Sequence, residues 1–154
     1  MNELKVEIIK LEPGDAIRFH AFSNSPENDV SKNLIAWAKP NGLLEDKNKV
    51  KVYGFDNPSP SPGSPNYGYE QWLFYDGDIS GFDDVEIIHF KGGLFATTTI
   101  KGVENIGAKW KELVRWRESS MYKMCPDYCL EEYIGKSNDM ADFELRLFLQ
   151  IEEK

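Results

Sequence analysis

A chain of 154 residues, 41% of them hydrophobic and 29% charged, suits one globular domain with a real core rather than a disordered segment. Its 26 acidic residues against 18 basic ones give a net charge of −8, a balance that repels nucleic acid and anionic membranes and attracts cations. No basic run exceeds two residues and no helix-turn-helix or zinc-finger pattern occurs, which argues against direct DNA binding.

The opening MNELKVEIIK carries Glu3 and Glu7 and lacks a long apolar region, so no signal peptide is expected. No stretch approaches the ~18 apolar residues of a membrane span, and a cytoplasmic location fits. Cys125 and Cys129 then read as free thiols. They lack a second pair, and His20 and His89 are distant in sequence, so neither a metal nor another cofactor is expected.

In chain order, KVEIIKLE reads as a strand and, after PGD, AIRFHAF as a second. Ser25 offers an N-cap with Pro26 at the first helical position, and Val30, Leu34 and Trp37 recur at helical spacing until Pro40 and Gly42. KVKVYGF is a short strand, NPSPSPGSPN a loop that neither helix nor central strand can hold, and YGYEQWLFY a further strand. DVEIIHF and LFATTTI follow as strands with Gly93 at the turn. Residues 104–121 read as a helix with Ile106, Trp110, Leu113 and Val114 on one face. CLEEYIG is a strand, and FELRLFLQI alternates with Phe143, Leu145, Leu147, Leu149 and Ile151 on one side.

The chain also repeats itself. VEII stands at 6–9 and again at 85–88, 79 residues on, and the same offset aligns Gly14 with Gly93 and LIAW (34–37) with LVRW (113–116). That period is far longer than a solenoid unit, so residues 1–154 read as a single domain with pseudo-repeats at about 4–76 and 84–152. The predicted class is α+β: duplicated ββαββ halves forming a mainly antiparallel sheet with two helices laid on it.

Three stretches carry a family resemblance: GFDNPSPSPGSPNYGYEQW with its Gly-x-Asp-Asn-Pro loop, LFATTTIKGVENIGAKWKELVRW, and CLEEY followed by a short polar loop. Together they resemble the GyrI-like small-molecule-binding family, also called the AraC effector-binding domain. The resemblance implies a ligand groove between the two halves that takes small organic molecules, often cationic and aromatic, above a carboxylate. By motif the family's glutamate falls on Glu131 and its tyrosine on Tyr133. Glu132 stands where an apolar residue is usual, so which of the two glutamates faces the groove stays open at this point. On a regular strand Cys129, Glu131 and Tyr133 share one face and Leu130, Glu132 and Ile134 the other, with Leu130 and Ile134 suited to the core.

Candidate aromatic walls are Tyr67, Tyr69, Trp72 and Trp110, with Tyr122 a weaker one; Tyr69 and Trp72 fall on opposite strand faces, so at most one of them lines a groove. Trp110 has no aromatic counterpart in the repeat, where Ser31 takes its place, whereas Trp37 and Trp116 match each other as scaffold residues do. The expected function is a stand-alone binder of cationic or amphipathic aromatic molecules, used for sensing or sequestration. Its readout could pass through a separate regulator protein. The alternative is a hydrolase of small electrophilic compounds using Glu131 and Tyr133 as in some relatives, and a gyrase-inhibitor-like protein interaction ranks third.

Overall fold

The computed structural model describes residues 4–134 and 144–153; Phe143 and Gly135, assigned above to strands, and the side chain of Cys125 lie outside that description. The order is β1 (Glu7–Leu11), β2 (Gly14–Ser23), α1 (Pro26–Ala38), β3 (Val50–Asp56), β4 (Tyr67–Tyr75), β5 (Glu86–Phe90), β6 (Gly93–Lys101), α2 (Ile106–Glu118), β7 (Tyr122–Tyr133) and β8 (Glu144–Glu153). This is the expected strand, strand, helix, strand, strand, twice over, and every described strand pair within each unit is antiparallel.

Each helix ends for a local reason. Pro26 opens α1, but Ser25 makes no side-chain bond to the helix backbone; its hydroxyl is taken by Asn28 while the carbonyl accepts from Asp29. The second helix is shorter than the 104–121 predicted. A 3-10 turn at Val103–Asn105 precedes it, and at its end Ser119 and Ser120 hydroxyls donate to the carbonyls of Arg115, Trp116 and Arg117. The backbone N–H groups of Ser119 and Ser120 donate to Arg115 and Arg117 as well, so the two serines close the helix end in place of another turn.

The chain forms two compact units that do not coincide with the sequence repeats. Residues 14–90 make one, with strand order β3-β4-β2-β5 and α1. Residues up to Pro13 and from Lys91 onward make the other, with order β1-β6-β8-β7 and α2. The two VEII strands have thus changed places: β1 pairs with β6, Glu7 opposite Thr97, and β5 pairs with β2, Ala16 opposite Ile88. Gly92 serves the crossing between β5 and β6. Its φ is +72°, and a Cβ there would stand 2.5 Å from the Leu11 carbonyl oxygen, so only glycine fits.

Within the 14–90 unit, Ile17, Leu34, Ala38, Leu43, Leu73 and Ile79 form the buried core under α1, with Trp37 packed against it. Trp37 also meets the rings of Phe19 and Phe82 and donates to Asp84. The opposite sheet face carries an aromatic row in which Trp72 contacts Phe55 and Phe90. In the other unit Leu113 of α2 is buried against Ala96, Ile100, Leu145, Leu147, Leu149 and Ile151, with Trp110, Val114 and Trp116 around them. The last strand therefore alternates as predicted. Of the described residues, no helix is long and apolar enough to cross a membrane.

Candidate functional site

The predicted site residues fall into separate groups. In the unit containing α2, Trp110 is one helical turn before Leu113 and Val114, so its ring lies at the border of the helix core and is half-exposed. Its indole N–H donates to Oε2 of Glu131 across 3.3 Å. Glu131 reaches this position because β7 pairs it with Leu147, which places it on the helix side of the sheet, with Cys129 and Tyr133 on the same face. A shallow hollow of about 350 Å³ flanks Trp110, bordered by Val114 and by Lys111 and Arg115. The stems of those two long side chains are apolar, so ring, valine and stems offer a greasy surface rimmed by two cationic heads, with Glu131 reached through the Trp110 ring and not part of the lining.

The neighbouring glutamate is on the other side. Glu132 pairs with Arg146 and Leu130 with Phe148, a face that packs Phe148 on Phe95. Leu130 is buried there, but Ile134 is exposed, and the helix-side core is formed by the leucines of β8 on the face that Glu131 shares. Of the expected core pair, Leu130 is buried and Ile134 is not. Tyr133 is 45% exposed at the strand end. Cys129 has its thiol pushed up from the ordinary range, by burial of the sulfur and then by the Glu131 charge.

Tyr67, Tyr69 and Trp72 belong to the 14–90 unit, and the register divides them. The Tyr67 hydroxyl shares its proton between the two carboxylate oxygens of Glu27, 2.7 and 2.6 Å away, in the first turn of α1. Tyr69, buried, lies on the same helix-side face and crowds Gly54, where a Cβ would meet its hydroxyl at 2.4 Å. Asp56, at the end of β3, has its carboxyl held above the usual aspartate range by partial burial and by Glu27. Trp72 points to the other face and shares no surface with Tyr67 or Tyr69. Its indole donates to Glu70 at 2.7 Å.

Glu70, only 4% exposed, was not singled out from the sequence. Arg18 pairs with it at 2.9 Å and Asn57 donates at 3.0 Å. Burial alone would raise its pKa, but the hydrogen bonds from Arg18, Asn57 and Trp72 outweigh that and hold it below the usual range. Arg18 neutralises it and the hydrogen bonds from Asn57 and Trp72 fix it, so Glu70 anchors the loop after β3. Sequence reasoning also missed Glu27 and Asp56. Asp56 was within reach, since it is the acid of the Gly-x-Asp-Asn-Pro stretch; Glu27 needed the fold, since it meets Tyr67 from 40 residues away.

Comparison with known proteins agrees with this architecture. Residues 7–150 match the family described as Cass2, integron-associated effector binding protein. Among curated proteins none matches the sequence. Several solved structures share the fold at low identity. The EcmrR C-terminal domain aligns with a TM-score of 0.69 at 11% identity, covering 98% of this chain and 99% of that one. A hydrolase from Listeria innocua gives 0.69 at 8%, covering 97% and 93%. SAV2435 bound to tetraphenylphosphonium gives 0.59 at 10%, covering 97% and 94%. Against EcmrR in its complex with DNA, the chain spans 58% of the EcmrR length.

Proposed function

The chain belongs to the Cass2 family of integron-associated effector binding proteins, and from that premise we propose that it binds cationic, amphipathic aromatic small molecules with Trp110 and Glu131 at the centre of the site. The observation that carries this reading is the hydrogen bond that holds the half-exposed Trp110 ring against the Glu131 carboxylate. The hollow on the ring's other neighbours, Lys111, Val114 and Arg115, supplies apolar contact through side-chain stems, and its two cationic heads have to turn outward for a cation to enter. A cation placed over the ring gains roughly 0.5–2 kcal/mol from the ring's quadrupole. A partly screened ion pair with the carboxylate adds about 1 kcal/mol, and apolar contact supplies the rest. These sums fall short of the ~12 kcal/mol of nanomolar binding and point to micromolar affinity with broad selectivity. The acidic balance of the chain favours approach of cations. Isothermal titration with tetraphenylphosphonium and a panel of cationic dyes tests the reading. Saturable micromolar heat is expected; a folded sample that gives none for any of them would refute it.

A second reading, hydrolysis of a small electrophilic compound, is favoured by one observation: Glu131 and Tyr133 share a strand face two residues apart. Glu131 would act as base or nucleophile and Tyr133 as the hydroxyl beside it. Mass spectrometry of an epoxide incubated with the wild type and with Glu131→Gln separates the two readings. Product formation lost on substitution supports the hydrolase; an unchanged compound supports binding alone.

A further inference from the structure

A second cleft, of about 900 Å³, opens in the unit containing α2, at the edge of β6. The register explains why it is there. Strand β1 covers β6 only as far as Glu7 opposite Thr97, whereas β8 continues beside β6 to Lys101 opposite Glu144. From Thr98 to Lys101 the outer edge of β6 therefore has no strand beside it among the described residues, and such an edge presents backbone donors.

The charges lining this cleft run against those of the chain. Four cations, Lys5, Lys101, Lys109 and Arg146, face two carboxylates, Glu7 and Glu112, in a protein whose net charge is −8. Lys109 and Glu112 are paired with each other at 3.2 Å, and of the remaining lining Lys5 and Arg146 by themselves outnumber the one carboxylate, Glu7. Neither Lys5 nor Arg146 has an ion-pair partner among the described residues. Arg146 stands opposite Thr99 in the β6–β8 register, which sets its guanidinium and the threonine hydroxyl on one face, with Lys101 two residues further along. Glu132 lies opposite Arg146 from β7, and Glu144 opposite Lys101 from β8, on that same face, and each tempers the charge it meets. A planar guanidinium fork, a hydroxyl and a lysine around one edge are the donors that phosphate and carboxylate oxygens require.

We propose that this cleft is a second binding site, for a small organic polyanion, either a phosphate ester or a polycarboxylate. Its sign of charge sets it apart from the Trp110–Glu131 site, so the inference does not rest on the cation-binding reading.

Amide NMR titration at constant ionic strength with fructose 1,6-bisphosphate and, separately, with citrate tests it on the whole chain. Saturable shifts at Thr99, Lys101, Lys109 and the Arg146 side chain are expected for at least one probe, and the stronger probe identifies the anion class. Arg146→Gln should weaken that binding about tenfold, the loss of one charge-assisted hydrogen bond. Lys101→Gln, at an exposed position, provides a second variant that should weaken binding likewise, with circular dichroism and a thermal melt checking that the fold is kept. Shifts that never saturate, that spread over surface lysines generally, or that persist unchanged in both variants would overturn the proposal.

Discussion

The indole nitrogen of Trp110 and the Glu131 carboxylate are 3.3 Å apart, so two residues 21 positions apart in sequence, one on a helix and one on a strand, present one ring and one charge side by side. Replacing Glu131 with glutamine separates the two contributions, because the amide oxygen still accepts from the indole while the charge is gone. Binding of tetraphenylphosphonium should weaken about tenfold, and stability should change by no more than ~0.5 kcal/mol. Titration calorimetry beside a thermal melt reads both; undiminished affinity would move the site elsewhere.

Glu70 offers a contrasting carboxylate. Glu70→Ala strands Asn57, Trp72 and the partly exposed Arg18, and should cost about 2–3 kcal/mol after allowing for solvent at the arginine. The pH dependence has a definite sign. The folded-state pKa is depressed, so this stabilisation is fully present above the ordinary glutamate value of 4.5 and is lost as pH falls below it through the folded value. Urea melts of wild type and Glu70→Gln should converge as pH drops below that range. A gap that widens in acid would contradict the assignment.

Asp56 behaves in the opposite sense. Its pKa is raised by burial and by Glu27, so the folded chain holds the proton more tightly than the unfolded chain does. Its effect on stability is therefore harmless in acid and becomes destabilising as pH rises from the ordinary value of 3.8 through the folded one. Asp56→Asn should raise the melting temperature at pH 7 and leave it nearly unchanged at pH 3. Scanning calorimetry at the two pH values decides the matter.

Cys129 reports on Glu131 from two residues away. With its pKa raised, the thiol carries less thiolate at neutral pH than an ordinary cysteine. In a Cys125→Ser background, its reaction with Ellman's reagent at pH 7.5 should be slower than that of free cysteine, and Glu131→Gln should speed it. Equal rates with and without the Glu131 charge would show that the carboxylate does not act on the sulfur.

Much of the fold was legible because local signals agreed. Period-2 alternation gave β8, helical spacing gave α1 and α2, and the repeated LIAW and LVRW placed Trp37 and Trp116 on matching helices. What escaped was pairing. Both copies of VEII carry the same side chains, so nothing in their pattern says which neighbour each will join. The early start of β7 was hidden by Pro126, which argues against a strand; a register shift between Met124 and Cys129 lets the strand run through it. At the site, the resemblance pointed to Glu131 and Tyr133 and the broken repeat symmetry to Trp110; the indole of Trp110 donates to Glu131, while Tyr133 is 45% exposed at the strand end. Tyr67 and Trp72, close in sequence, part because their positions on β4 differ in parity, and the carboxylates that each one bonds are visible only once the strands are paired.

The exchanged first strands impose an order of events on a chain made from its N-terminus. Residues 14–90 are complete as soon as they emerge, whereas Leu11 has to wait for Gly93 to be synthesised before it meets the neighbour it needs. Cutting away the opening thirteen residues would accordingly leave the earlier-born unit whole and strip an edge from the later one, lengthening the bare margin of β6 from Thr98 back to Gly93.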